Sequence, residues 1–326
     1  MITLILLGAA ITYGASAIAS YRARLASPSQ VSTTTHRASD PGGIIRFRNT
    51  AAGTGYGMTA SVPVADPGAP RALTTLACDR VYATKKNTMC LRIVRGIVTT
   101  FEADLLDSTG KQLHAWSLPG IPSRTRISPD STLVAFTSFV TRAAYGTVGF
   151  STATEVATTT GLDYGNLETF AFTIDGQPVT APDRNFWGVT FTSDDNVFYA
   201  TAASGGRTWL VRADLAKRNL TAVKETSECP SVSPDGRRVA YKKNTSTTAT
   251  AYWAIAVLDL KTRVETILSE KRNIDDQVEW LNESTLLYGL PRSNGTGDSD
   301  IWSIPADGSG SPTRIIQHAW SPTVVR

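Results

Sequence analysis

Histidine and cysteine are scarce in this chain: three of each among 326 residues. Too few ligands remain for a multi-histidine metal centre or a cysteine-rich zinc scaffold, and no cofactor or metal is expected. His36 lies in a Ser/Thr-rich stretch, so a Ser-His-Asp triad has only His114 and His318 to draw on. Charge is also sparse, at 18% of residues, and the 32 Lys and Arg are dispersed among 28 Asp and Glu. The nearest approaches to a basic cluster are Lys85-Lys86, Arg237-Arg238 and Lys242-Lys243. Pairs of this kind suit solvated strand edges, and without a basic stripe nucleic acid is not an expected partner. There is no Gly-x-Ser-x-Gly elbow, no His-Glu-x-x-His and no glycine loop that would cradle phosphate. SGGRTW (204–209) approaches a sialidase Asp-box, but Ala202 and Ser204 stand where its Ser and Asp would be. Nothing here marks an enzyme.

What is present is apolar material, 41% of the chain, enough for a sizeable core. The opening MITLILLGAAITYGASAIAS has no charged side chain from Ile2 to Tyr21. That length lies between a signal-peptide core and a spanning helix, so residues 1–20 read as a signal peptide or membrane anchor. Ala15-Ser16-Ala17 and Ala17-Ile18-Ala19 offer cleavage patterns. Arg22 and Arg24 follow the run at once, which by the positive-inside rule favours a cytoplasmic body. The placement of Cys78 and Cys90 argues for an oxidising compartment instead, and export is the expectation adopted. Residues 21–43, with LASPSQVSTTTHRASDPGG (25–43), lack apolar periodicity and read as a flexible linker.

From residue 44 onward the chain is all-β. Short alternating or β-branched runs such as IIRFRNT, MTASVPV, LVAFTSFV, VFYATAA, WAIAVLDL and TLLYGL are bounded by Gly, Pro, Asn and Asp, and no long segment has helical apolar spacing. Four stretches align without gaps: ISPDSTLVAFT, FTSDDNVFYAT, VSPDGRRVAYK and WLNESTLLYGL. A fifth, WSPTVV, ends at Val325. Their starts at 127, 191, 232, 280 and 320 are 64, 41, 48 and 40 residues apart, the period of WD40-like propeller blades. In the full motif Pro presets φ, Asp bonds its own backbone and Gly accepts positive φ, so Asp130, Asp194 and Asp235 read as turn formers rather than calcium ligands. Residues 79–120 supply one blade and the four copies four more. Three N-terminal runs and HAWSPTVV would share a sixth, closing the ring and removing its open edges. The expected fold is a six-bladed β-propeller over residues 44–326.

The Ser-Pro-Asp-Gly-x-x-Val-Ala-Tyr repeat resembles that of TolB propellers. LACDRVYATKKNTMCLRI, NFWGVTF, GGRTWLV, ECPSVSPDG, DDQVEWL, LLYGLPR, DIWSIPADG and AWSPTVVR are more closely similar to the exported actinobacterial proteins called TolB-like translocation proteins. The resemblance covers roughly residues 44–326 and implies a six-bladed propeller outside the cytoplasmic membrane. TolB carries an α/β domain ahead of its propeller, for which residues 25–43 leave no room, so TolB's partners are not carried over.

Cys78 and Cys90 flank RVYATKKNTM, whose Lys85-Lys86-Asn87 supplies a hairpin turn, so strands on either side would bring them within disulfide reach. Two reduced, buried thiols are the alternative. Cys229, before Pro230 in an inner strand, reads as a small buried hydrophobe. The residues just before each inner strand would face the axis: Arg124, Arg126, Asn185, Trp187, Glu228, Gln277, Glu279, Gln317 and His318. Such a ring either recognises a polar ligand or peptide end or merely solvates a narrow channel. Asp275-Asp276 ahead of Trp280 reads as an exposed acidic loop before a core aromatic. The resulting expectation is an exported, monomeric, non-enzymatic propeller, secreted or anchored at the cytoplasmic membrane. It would bind or scaffold an unidentified peptide, protein or cell-envelope component through its axial face. The alternative is an envelope hydrolase or lyase using Glu228 and Glu279 as acid and base.

Overall fold

The computed structural model describes residues 2–36, 40–140, 151–248, 250–293 and 297–326, with side chains from Thr12 onward except that of Arg24. Six sheets stand around one axis, and in blades 1, 2, 4 and 5 the strands run outward from it in sequence order. Blade 1 comprises Arg80–Ala83, Asn87–Val94, Thr100–Asp107 and Gln112–Ser117, and blade 2 Ile121–Ile127, Leu133–Val140, Ser151–Thr158 and Asp163–Asn166. Blade 3 is built on Asn185–Phe191, Val197–Ser204, Arg207–Asp214 and Asn219–Glu225. Blade 4 comprises Glu228–Val232, Arg238–Asn244, Trp253–Asp259 and Glu265–Ile267, and blade 5 Glu279–Asn282, Thr285–Pro291, Ser299–Pro305 and Thr313–Ile316. Blade 6 takes its inner strand, Ala319–Val325, from the C-terminal end and Ile44–Asn49, Met58–Pro63 and Arg71–Ala77 from the N-terminal end. The joining ladder is antiparallel and runs from Ile44 opposite Val325 to Asn49 opposite Ala319.

Burial follows radius. Asn185–Phe191, close to the axis and covered on both faces, is buried at every position, whereas the outermost Gln112–Ser117 is exposed or half-exposed throughout. The apolar runs read from the sequence, such as LVAFTSFV and VFYATAA, are buried second strands, between neighbouring blades, and the outermost strands are more polar. The core lies between blades. Phe172, Phe186, Phe198 and Trp209 fill one such layer, and Ile255, Trp280, Leu286 and Tyr288 another. Blade 3 is larger than its neighbours because Ala171–Ile174 adds in parallel beside Asn219–Glu225 and Gln177–Pro178 pairs with it in turn. That insertion accounts for the long 64-residue step between the repeats at 127 and 191.

The repeat turns have the chemistry read from their sequence. Asp235 accepts from Ser233 Oγ at 2.6 Å and from the Arg237 amide at 3.0 Å, and Gly236 sits at φ 71°. In the copy at 127, Asp130 accepts from Ser128 Oγ and the Thr132 amide, and Ser131 adopts the positive φ that Gly supplies elsewhere. Cys78 and Cys90 form a disulfide with Cα atoms 5.3 Å apart, and Cys229 is a buried free thiol. The bond ties the end of the N-terminal half of blade 6 to the second strand of blade 1.

The N-terminal apolar run is a helix, Ile2–Ala26. No helix among the described residues is long and apolar enough to cross a membrane. Part of the following segment, read as linker, is fastened to the propeller: Thr33–Thr34 pairs in parallel with Arg71 and Ala72, and the Asp40 carboxylate accepts from the amides of Gly42 and Ala65, both at 2.8 Å.

Candidate functional site

The inner strands carry polar residues inward because six short strands around one axis leave a channel too narrow for large apolar side chains and too long to leave empty. Arg126 and Glu279, on blades 2 and 5, meet across it at 3.5 Å. The Arg126 guanidinium also donates to the Val278 carbonyl at 3.0 Å and stacks on the Tyr82 ring at 4.7 Å. Glu279 accepts from the Val324 amide at 3.3 Å, so one buried carboxylate joins blades 2, 5 and 6. Burial pushes its pKa up, with Arg126 opposing. Burial likewise raises the Tyr82 hydroxyl.

One layer away, Asp276 accepts from Arg80 at 3.0 Å and lies 3.7 Å from Arg124. Burial and the neighbouring Arg124 lower Arg80 to about 10, against the attraction of Asp276. The Gln277 amide donates to the Pro230 carbonyl at 2.7 Å, and Arg80 stacks on Trp320 at 5.0 Å. Between these two layers only a gap of about 10 Å³ remains, room for about one water. Beyond Asp276, Lys242 bonds Asp275, approaches Glu228 to 3.8 Å and stacks on Trp253 at 4.3 Å. Burial raises Glu228. The axis is therefore plugged by alternating charges.

On the other side of Arg126 and Glu279 the channel widens into a funnel of about 440 Å³. It opens between the turns that join the first and second strands: Thr84 to Lys86, Pro129 to Ser131, Thr192 and Ser193, and Ser233 to Gly236. Tyr82, Ile127, Phe191, Val232, Trp280 and Val324 supply apolar walls, and Lys85, Lys86, Asp130 and Arg326 add charge near the mouth. Lys86 Nζ donates to the Asp130 carbonyl at 3.2 Å, and Arg326 clasps the carbonyls of Trp280 and Leu281, both at 2.7 Å. A concave, mostly apolar wall with a few convergent polar groups is the usual form of a ligand site.

Of the nine residues expected at the axis, Arg124, Arg126, Gln277 and Glu279 are brought together in the plug, and Glu228 lies beside it. Trp187 is buried in the inner strand of blade 3. Asn185 turns to blade 2 and accepts from the Thr152 amide and hydroxyl at 3.0 and 2.7 Å. Gln317 is exposed and offers its carbonyl to Arg71, while His318 bonds Asp298 through Nδ1 at 2.8 Å and lies near Arg292. These last two belong to the junction of blades 5 and 6. Glu228 and Glu279 fall in separate layers with separate partners, and of the two only Glu279 lines the funnel. Sequence reasoning missed Arg80, Tyr82 and the role of Asp276. Blade 1 has no Ser-Pro-Asp turn on which to align Arg80, and Asp276 reads in sequence as part of an exposed acidic loop, whereas it is buried.

The architecture defines a six-bladed β-propeller with a charged axial plug and a funnel on one face. Comparison with solved structures makes it TolB-like in fold: the TolB structure from Acinetobacter baumannii shares 16% identity at a TM-score of 0.57, over 87% of this chain and 67% of that one. A chain of a nidogen/laminin complex matches at 8% identity and a TM-score of 0.55, over 86% of this chain and 97% of its own. The tricorn protease matches at 12% identity and a TM-score of 0.50, over 91% of this chain and 36% of its own. No family model and no curated protein matches the sequence. At such identities the likeness is one of fold.

Proposed function

We propose that this is an exported binding or scaffolding propeller, held at the cytoplasmic membrane by its N-terminal helix, that takes a peptide, protein or cell-envelope component into the axial funnel. The carrying observation is the funnel itself: apolar walls, a fixed Arg126–Glu279 floor and exposed Lys85 and Lys86 at the mouth. The buried disulfide and the TolB-like fold support the extracytoplasmic location. A binding role agrees with the protein complex in which one similar propeller occurs; the similarity to a protease keeps the fold itself neutral on chemistry. Hydrolase or lyase action by Glu228 and Glu279 is disfavoured by their separation into two layers.

The test is a thermal-shift screen of the full chain against peptides, muropeptides and oligosaccharides, with each hit followed for turnover. Binding without turnover, weakened at least several-fold by Lys85→Glu/Lys86→Glu at the mouth while thermal stability is kept, is the expected result. Turnover of a hit that Glu279→Gln abolishes would replace the binding reading with the hydrolytic one.

A further inference from the structure

In a four-stranded antiparallel blade, the turn joining strands one and two and the turn joining strands two and three lie at opposite ends. Because the inner strands run the same way along the axis, the one-to-two turns are on the funnel face and the described two-to-three turns, those of blades 1, 3, 4, 5 and 6, are on the other. Cross-blade bonds show the second set gathered on one face: the Tyr56 hydroxyl of blade 6 donates to the Gly297 carbonyl of blade 5 at 3.1 Å, and Thr50 Oγ1 donates to Asp298 at 2.8 Å. The N-terminal helix adjoins this same face. Tyr21 packs edge-on to Tyr56 at 6.4 Å, and Gly53 lies so close to Ser27 that an added Cβ would meet its carbonyl at 3.1 Å.

The neighbouring two-to-three turn, residues 95–99 of blade 1, ends in an apolar tip. Ile97 is fully exposed and Val98 is 75% exposed, beside exposed Arg95. A β-branched pair held out in water at a hairpin tip contributes nothing to the fold. It is the combination that inserts into the boundary of a bilayer, with arginine left among the phosphates. Arg22, exposed and next to Tyr21 on the helix, adds positive charge on that side.

We infer that the two-to-three face, through the tip at Ile97 and Val98 with Arg95 beside it and Arg22 on the adjoining helix, docks on an anionic lipid bilayer. The funnel mouth, being on the opposite face, is then turned away from the membrane toward its ligand. The inference rests on the membrane-held part of the proposed function and is independent of what the funnel binds.

Two single-cysteine labels in the full chain test it, since Cys78 and Cys90 are bonded and Cys229 is buried. An environment-sensitive fluorophore is placed at Ile97→Cys or at Lys86→Cys, and the protein is mixed with vesicles of phosphatidylcholine and phosphatidylglycerol, or of phosphatidylcholine alone. Lipid-borne nitroxides should quench the label at position 97 several-fold more than that at 86, and more strongly when phosphatidylglycerol is present. Flotation with vesicles but equal or no quenching at position 97 would overturn the docking face while leaving the membrane anchor intact. Failure of the full chain to float would overturn both. Quenching at position 97 that ignores phosphatidylglycerol would overturn the part assigned to the arginines.

Discussion

At the scale of single residues, the connection between blades 4 and 5 shows how the plug is held. Residues 268–278 carry Asp275, Asp276 and Gln277 to the axis, and their anchor is Glu270. Its buried carboxylate takes a bidentate hold from Arg272 at 2.9 and 2.6 Å and a hydrogen bond from the Tyr288 hydroxyl, while Arg272 stacks on Trp302 at 3.8 Å. Burial alone would raise Glu270, but these bonds and the Arg272 charge hold it at about 2. A carboxylate whose folded pKa is depressed stabilises the protein above its unfolded value, near 4.3, and the stability is lost as pH falls through its folded value. Between about pH 4.3 and about 2, Glu270 should therefore contribute on the order of 2 kcal/mol of lost stability, and Glu270→Gln should flatten that part of the pH–stability curve in chemical denaturation. Glu279, raised by burial, has the opposite sign: its contribution is present at low pH and is lost as pH rises through its folded pKa. Removing its partner leaves a buried carboxylate unpaired, so Arg126→Ala should cost about 3–5 kcal/mol in denaturant unfolding at neutral pH. Arg126 and Glu279 were legible in sequence from their place just ahead of the repeat turns, although they lie within the inner strands Ile121–Ile127 and Glu279–Asn282 rather than before them. Glu270 was not, because a lone carboxylate in a loop looks the same whether it anchors the loop or faces water.

At the scale of elements, turns were more legible than junctions. Ser-Pro-Asp-Gly announces its own conformation, since Asp235 and Gly236 bond and bend locally. Gly188 could not be read this way. It lies at a register shift in the inner strand of blade 3, at φ 67°, and an added Cβ would stand 2.8 Å from the Cys229 Cα of blade 4. That requirement comes from a neighbouring blade, not from its own stretch of chain. The hairpin between Arg80–Ala83 and Asn87–Val94 was predictable from the turn residues within it, with Val81 opposite Cys90. What its sequence did not reveal is that Cys78 belongs to the end of blade 6, so the disulfide bridges two blades. Closing the short loop between Cys78 and Cys90 contributes roughly 3 kcal/mol in the chain-entropy model. Cys78→Ala/Cys90→Ala should accordingly lower the denaturation midpoint, and a reducing agent should move the unsubstituted protein toward the same midpoint. An unchanged midpoint in both would show that hairpin pairing alone closes this junction.

For the whole molecule, six-fold repetition was visible because the repeats preserve their turns, even where blade 3 inserts an extra hairpin and stretches the spacing. The site was less visible, since its depth depends on which inner-strand residues meet across the axis, and that is fixed only when the ring closes. Closure depends on Ala319–Val325. This strand is antiparallel to Ile44–Asn49, its Val324 amide binds Glu279 of blade 5, and Arg326 holds the carbonyls of Trp280 and Leu281. It also packs on blade 1, where Thr323 Oγ1 and Ser321 Oγ donate to the Ala83 and Val81 carbonyls, both at 3.3 Å. One strand thus fastens blades 5, 6 and 1, covers the edge of Ile44–Asn49 and forms part of the funnel wall. Without it, the edge of Ile44–Asn49 would face the axis with its backbone groups unpaired, each at a cost of about 1–3 kcal/mol when buried. Several such losses exceed the roughly 5–15 kcal/mol by which a domain is stable. Deleting residues 319–326 should therefore abolish cooperative thermal unfolding and drive the protein into aggregates through the bared edge. A truncated chain that keeps a sharp transition near the original midpoint would mean that blades 1 to 5 close on the N-terminal strands alone.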